Sequence, residues 1–193
     1  MALCLTHAGA GYLVYEAMRP AGRHRVGLLA TAVVLANAPD LDFLPGLVTG
    51  APTVFHRGFT HTVAGVALVG LAAWWCARRV RPREWSPART AVFASLAFGS
   101  HLLVDYFTVD GVAPYGARFL WPFSDAHLHA PVQAFGEIIV DRSGTPAFLA
   151  SLWAPHTYQA WAREVLTGLV FFLVGGAARV RQGRRRTSRA LPS

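Results

Sequence analysis

Long apolar runs alternate along the chain with short polar breaks marked by proline or arginine, and five runs separate cleanly. The first covers residues 3–18 and is followed by RPAGRHR; the second, 26–38, is stopped by PDLD at 39–42. The third, 62–76, ends in ARRVRPRE, and the fourth, 88–107, is closed by TVDGVAPYG. A mixed stretch rich in proline and aromatics then reaches about residue 163, before a fifth run at 164–180. In the third, fourth and fifth runs apolar residues go round every face, which predicts buried or lipid-facing helices. The second run is the exception: about 13 residues, where a spanning helix wants roughly 20. Thinned membrane, re-entrant packing or burial in a globular bundle each fit that length.

Composition favours the membrane. The chain is 53% hydrophobic and 15% charged, where soluble domains carry about a quarter charged residues. The expected fold is therefore all-α, a multi-pass membrane bundle of about five apolar helices with a mixed loop region before the last. Residues 1–180 form one domain, and the polar 181–193 segment a disordered basic tail. A soluble helical bundle is the topological alternative.

All 18 basic residues are arginine, for a net charge of +8. They cluster between the apolar runs rather than interleaving with aromatics on a polar surface, which argues for topology and against nucleic acid. With the clusters at 19–25, 78–83 and 179–189 all cytoplasmic, five passes alternate without conflict. That predicts an inner-membrane protein with a cytoplasmic tail. Cys4 and Cys76 lack metal-binding or scaffold spacing. No cleavable signal peptide is expected, since charge follows the first apolar run instead of preceding it.

The opposite, extracytoplasmic side collects the chemistry. His7 begins the first helix, Asp40 and Asp42 follow the second, His56 and His61 precede the third, and His101 and Asp105 end the fourth. His101 and Asp105, four apart, share a helical face. Imidazole plus carboxylate is the ligand mix of zinc, manganese or ferrous iron. Further carboxylates can orient the histidines or serve as general base. Each piece has a plainer reading: a hydrogen-bonded HxxxD pair, PDLD as a helix stop, Thr60 as an N-cap. Arg57 either clamps an anionic substrate or pairs with Asp40 or Asp42. His127 and His129 could extend the site, and His24 reads as a solvated loop residue.

An amino-terminal TH, then PDLDF, HRGFTH and HLLVDYFT followed by WPF, resemble the YdjM-like family of membrane-bound metal-dependent hydrolases over roughly residues 5–125. That family is distantly similar to zinc-dependent phospholipase C and related nucleases. The resemblance implies that one divalent ion, zinc first, is held by an aspartate of PDLD, His61, His101 and Asp105. His7 would serve a neighbouring ion, with Asp105 bridging. The later HxxxE pattern of the phospholipases is not reproduced by His127, His129 and Glu137. The expected function is metal-assisted hydrolysis of a phosphoester or similar bond, with Asp40, Asp42 and Arg57 as catalytic candidates and membrane lipids as neighbours. A structural metal site and a metal-ion or proton transporter are the rivals.

Overall fold

Helix α1 (Cys4–Met18) lies at the centre of the bundle, with α2 (Val26–Asn37), α5 (Pro87–Tyr106) and α7 (Tyr158–Ala190) packed around it. α4 (Val63–Arg79) packs on the far side of α5, and two short helices, α3 (Phe43–Thr49) and α6 (Thr145–Ser151), complete the set. The structure, a computed structural model, describes residues 4–20, 25–80, 85–111 and 113–190. His24 lies outside them. Among the described residues there is no strand, only two isolated bridges, Thr108 with Phe135 and Ala117 with Leu128.

Small residues set the close approaches. A Cβ on Gly11 would meet the Ala32 carbonyl oxygen at 2.7 Å and the Ala36 Cβ at 2.8 Å, so α1 and α2 touch backbone to backbone. Small contact residues of this kind are how helices associate when burial of apolar surface supplies little drive. Helix starts follow local capping chemistry. The Thr62 hydroxyl accepts from Gly65 N ahead of α4, and the Ser86 hydroxyl accepts from Arg89 N with Pro87 at the first helical position. Thr62, not Thr60, is therefore the cap.

The pairings fix the direction of each helix. Thr6 N donates to Glu164 near one end of the α1–α7 contact, while Glu16 and Arg179 meet near the other, so those helices run parallel. α5 runs opposite to α1: His7 stacks on His101, and Arg89 donates to the Met18 carbonyl. His7, the PDLD turn, His61, His101 and Asp105 thus share one end of the bundle. Arg19, Arg25, Arg78 and Arg79 lie at helix ends on the other, where Arg179, within α7, meets Glu16.

Three expectations change. PDLD does not end the second apolar element: Ala38–Asp42 is a 3-10 turn that passes directly into α3. Proline is tolerated in the first turn of a helical element, where its missing N–H has no partner to lose. The element then closes at Gly50, whose φ of 80° suits a residue without Cβ. Val26–Thr49 so becomes a 24-residue apolar segment and, with Pro155–Arg181, one of two among the described residues that are long and apolar enough to cross a membrane. Of the five membrane passes expected, only these two reach that length and hydropathy among the described residues. Finally, helical backbone runs on to Ala190 through the arginine-rich segment; arginine is among the better helix formers. Outward apolar residues such as Leu166, Leu169 and Leu173 on α7, and Leu68 and Leu71 on α4, remain exposed.

The 108–163 stretch folds back over the site end of α5. Ala130 N donates to the Tyr106 carbonyl, Ala134 N to that of Phe107, and Val63 N to that of Phe119. These bonds tie the stretch to both α5 and the start of α4.

Candidate metal centre

Four potential ligand atoms from the PDLD turn, the turn ahead of α4 and the end of α5 converge. His101 Nε2 lies 3.1 Å from His61 Nε2, 3.4 Å from Asp40 Oδ1 and 3.8 Å from Asp105 Oδ2. His61 Nε2 lies 3.6 Å from both carboxylate oxygens. Ligands about 2.0–2.1 Å from a tetrahedral zinc ion sit roughly 3.3–3.4 Å from one another. The measured spread brackets that edge.

Proton bookkeeping sharpens the point. His101 Nδ1 is 2.8 Å from the Ala36 carbonyl oxygen, which can only accept, so Nδ1 carries the proton. His61 Nδ1 is 3.1 Å from Asp42 Oδ2 and is protonated for the same reason. In the neutral rings both Nε2 atoms then present lone pairs to each other, beside two carboxylate oxygens that also only accept. Such a group repels itself unless a cation lies among its members. Burial raises the stakes: His7, His61 and His101 are fully buried, and both His7 nitrogens, Asp40 Oδ1 and both Asp105 oxygens lack hydrogen-bond partners. Unpartnered buried polar atoms are costly. A divalent cation would satisfy the carboxylate oxygens and a histidine nitrogen facing them, so the residues present fit a metal.

The Ala36 carbonyl is free for His101 because of the switch to 3-10 pairing. That pairing sets Pro39, which has no N–H, opposite the Ala36 oxygen. PDLD thus does two things, donating Asp40 and freeing the carbonyl that fixes the His101 tautomer.

Asp42 stands behind the ligands. Its Oδ1 accepts from His56 Nδ1 at 3.0 Å, and its Oδ2 takes the Thr60 hydroxyl at 2.9 Å beside His61 Nδ1. Carboxylates in this position orient a ligating histidine and raise its basicity. His56 packs flat on Phe43 with centroids 3.9 Å apart, and its Nδ1 is 3.8 Å from Asp40 Oδ1. Burial depresses the His56 pKa despite the Asp42 hydrogen bond. For His61 burial also opposes the charged form, but Asp40 and Asp42 outweigh it and raise its pKa to about 9. Without a metal, the cluster would hold a proton on His61.

His7 forms the far side. Its ring stacks on His101 at 3.7 Å, and its Nε2 is 3.7 Å from Asp105 Oδ1. Two triads with metal-holding spacing result, His7–His101–Asp105 and Asp40–His56–His61, which meet where His61 and His101 touch. Asp105 faces both sides, one oxygen towards His7 and the other towards His61 and His101.

Arg57 does not pair with Asp40 or Asp42. Its guanidinium binds Asp110 and reaches the Gly116 carbonyl, and its backbone is left-handed at φ 62°. It lines a cavity of about 280 Å³ together with His56 and His127. His127 therefore belongs to the cavity rather than the cluster, and His129 is exposed. Sequence reasoning missed Thr60 as a partner of Asp42, the Ala36 carbonyl and the cavity. A hydroxyl one residue before a ligand was a readable signal; the carbonyl and the cavity were not.

A helical bundle with membrane-length apolar segments and a buried histidine/aspartate cluster that could hold a metal defines the class of this molecule. Over residues 1–184 the chain matches the YdjM inner membrane protein family, and it belongs to that family. Inner membrane protein YbcI of Escherichia coli (strain K12) is 36% identical over 146 residues, covering 72% of this chain and 75% of the relative. No solved structure matches the chain.

Proposed function

We propose that this inner-membrane protein is a metal-dependent hydrolase acting on a phosphoester or similar bond. The observation that carries the reading is the approach of His61 Nε2 and His101 Nε2 to 3.1 Å, with an oxygen acceptor at each ring's Nδ1 and two carboxylates alongside. Asp40, Asp105, His61 and His101 would hold the first cation, with zinc favoured by the nitrogen and oxygen donors. His7 and the second oxygen of Asp105 would hold a neighbour. A divalent cation there supplies Lewis acidity towards a phosphoryl oxygen and towards water.

The chain's own residues do the rest. Asp40 is the ligand at the accessible edge, its side chain 21% exposed while His61 and His101 are fully buried. An accessible edge is what separates a catalytic centre from a closed structural one. Asp40 is placed to take a proton from an attacking water, and Asp42, through His56 and His61, holds the geometry. The site end of the bundle faces the extracytoplasmic side in this reading, with the arginine-bearing helix ends cytoplasmic.

Transport gains one supporting observation, because Asp40 and Asp42 lie inside a membrane-length segment. A path to the arginine end would have to cross the packed cluster of Tyr15, Ala32, Phe93 and Ala97. Hydrolysis is therefore preferred. The test is release of alcohol or phosphate from a panel of phosphomonoesters and phosphodiesters by metal-replete protein in detergent. Turnover that chelation and His101→Ala both abolish is expected. Full metal loading with no turnover on any substrate would leave only a structural centre.

A further inference from the structure

The cavity beside the cluster is built largely by the stretch that sequence reading left without a role. Arg57 comes from the loop ahead of α4, whereas Arg118 and Arg142 come from the 108–163 stretch, yet all three line one space with His56. His56 also touches Asp42 and Asp40, so the cavity and the metal-ligating cluster share a wall. We propose that this cavity is a phosphate-holding subsite that presents a phosphomonoester or a phosphate-bearing head group to the cluster. The proposal rests on the hydrolase reading and gives it a substrate class.

Charge and pairing carry the assignment. Both acids in the lining are already engaged: Asp110 by Arg57 and Gly116 N, and Glu137 by Gly111 N at 2.7 Å. Arg118 has a loose partner outside the lining, Asp125 at 3.5 Å, whose side chain is 84% exposed. Arg142 has no ion-pair partner among the described residues. Two guanidinium groups are thus available to an incoming anion, and the planar donor fork of arginine matches phosphate oxygens.

Arg57 adds a positional signal. It is the described non-glycine residue with positive φ, and its Nε is buried without a partner. A left-handed backbone costs a residue with a Cβ on the order of 1 kcal/mol, and such conformations gather where a ligand must be met in one geometry. Asp110 holds the guanidinium at the cavity wall, next to the histidine that borders the cluster. Size narrows the ligand. About 280 Å³ lies at the lower end of small-molecule sites and suits a phosphate with a short alcohol, not a whole lipid. Arg118, His127 and Arg142 are exposed, so the cavity opens to solvent on their side.

The test is calorimetric titration of detergent-purified protein with inorganic phosphate and with dihexanoylphosphatidic acid, alongside metal analysis of each sample. Arg118→Gln and Arg142→Gln should each weaken phosphate binding between about 3- and 10-fold with metal content unchanged. Glu137→Gln, which keeps an acceptor for Gly111 N and removes a negative charge, should tighten it, a gain that misfolding cannot imitate. Tighter binding of the phosphatidic acid with the same arginine dependence would assign a lipid head group; equal binding would assign a free phosphate compound. Phosphate affinity indifferent to all three substitutions, in protein with normal metal content, overturns the subsite. Arginine-dependent binding in a protein that holds no metal would instead sink the hydrolase reading and leave the anion site standing.

Discussion

His61 shows how two carboxylates retune a single buried imidazole. Asp40 and Asp42 raise its pKa to about 9 against the pull of burial, from an ordinary 6.5. A raised folded-state pKa contributes stability that is fully present below 6.5 and is lost as the pH climbs through 9. Chelator-treated protein in detergent should therefore lose thermal stability between those pH values, by an amount on the order of 3 kcal/mol at most. In metal-loaded protein the proton is already displaced, so this loss should be absent, and metal should bind more weakly as the pH falls. Melting curves at stepped pH, with and without zinc, check both signs. Metal-free protein that grows more stable across this window would show that the two aspartates do not govern His61. At this scale much was legible in the sequence. His7, Asp40, His61, His101 and Asp105 were all marked by residue type at helix ends. The separate tasks of Asp40 and Asp42, two residues apart in one motif, were not, because they depend on which oxygen meets which ring nitrogen.

At the scale of elements, position depends on backbone pairing that residue patterns do not display. Pro39 read as a stop, yet a 3-10 turn carries the chain past it into α3 and sets Asp40 beside His61 and His101. The hydrophobic pattern located α1, α2, α4 and α5 to within a few residues, since apolar periodicity reports a helix directly, whereas α7 extends well beyond the 164–180 run at both ends. It could not report the backbone contact of α1 on α2. Gly11→Ala should push Ala32 and Ala36 away and cost about 1–3 kcal/mol of stability, as overpacking commonly does. Because the Ala36 carbonyl fixes His101, metal affinity should fall with it. Gly27→Ala, on α2 with open space around it, should be neutral or mildly stabilising. Paired melting and metal titrations separate the two. Equal behaviour of the variants would mean that the α1–α2 contact does not position the centre.

For the whole molecule, the arrangement is polarised. Histidines and aspartates gather at one end of the bundle, and the arginines of the inter-helix breaks, Arg19, Arg25, Arg78 and Arg79, lie at the other. An apolar cluster around Tyr15 and Phe93 lies between, and membrane-length segments run from Val26 to Thr49 and from Pro155 to Arg181. Arginine spacing alone foretold that polarity, because helices of alternating direction must bring alternate breaks to the same end. The cavity walled by residues 108–163 was invisible beforehand, since a loop that folds back leaves no periodic signature. Everything proposed for this member of the YdjM family depends on a cation among His61, His101, Asp40 and Asp105. X-ray absorption at the zinc edge of protein purified from membranes reads that shell directly. Nitrogen and oxygen donors alone, about 2.0–2.1 Å from the ion, are expected, with the signal lost in His101→Ala. Sulfur in the shell, or an unchanged spectrum in that variant, would place the metal elsewhere and contradict the assignment.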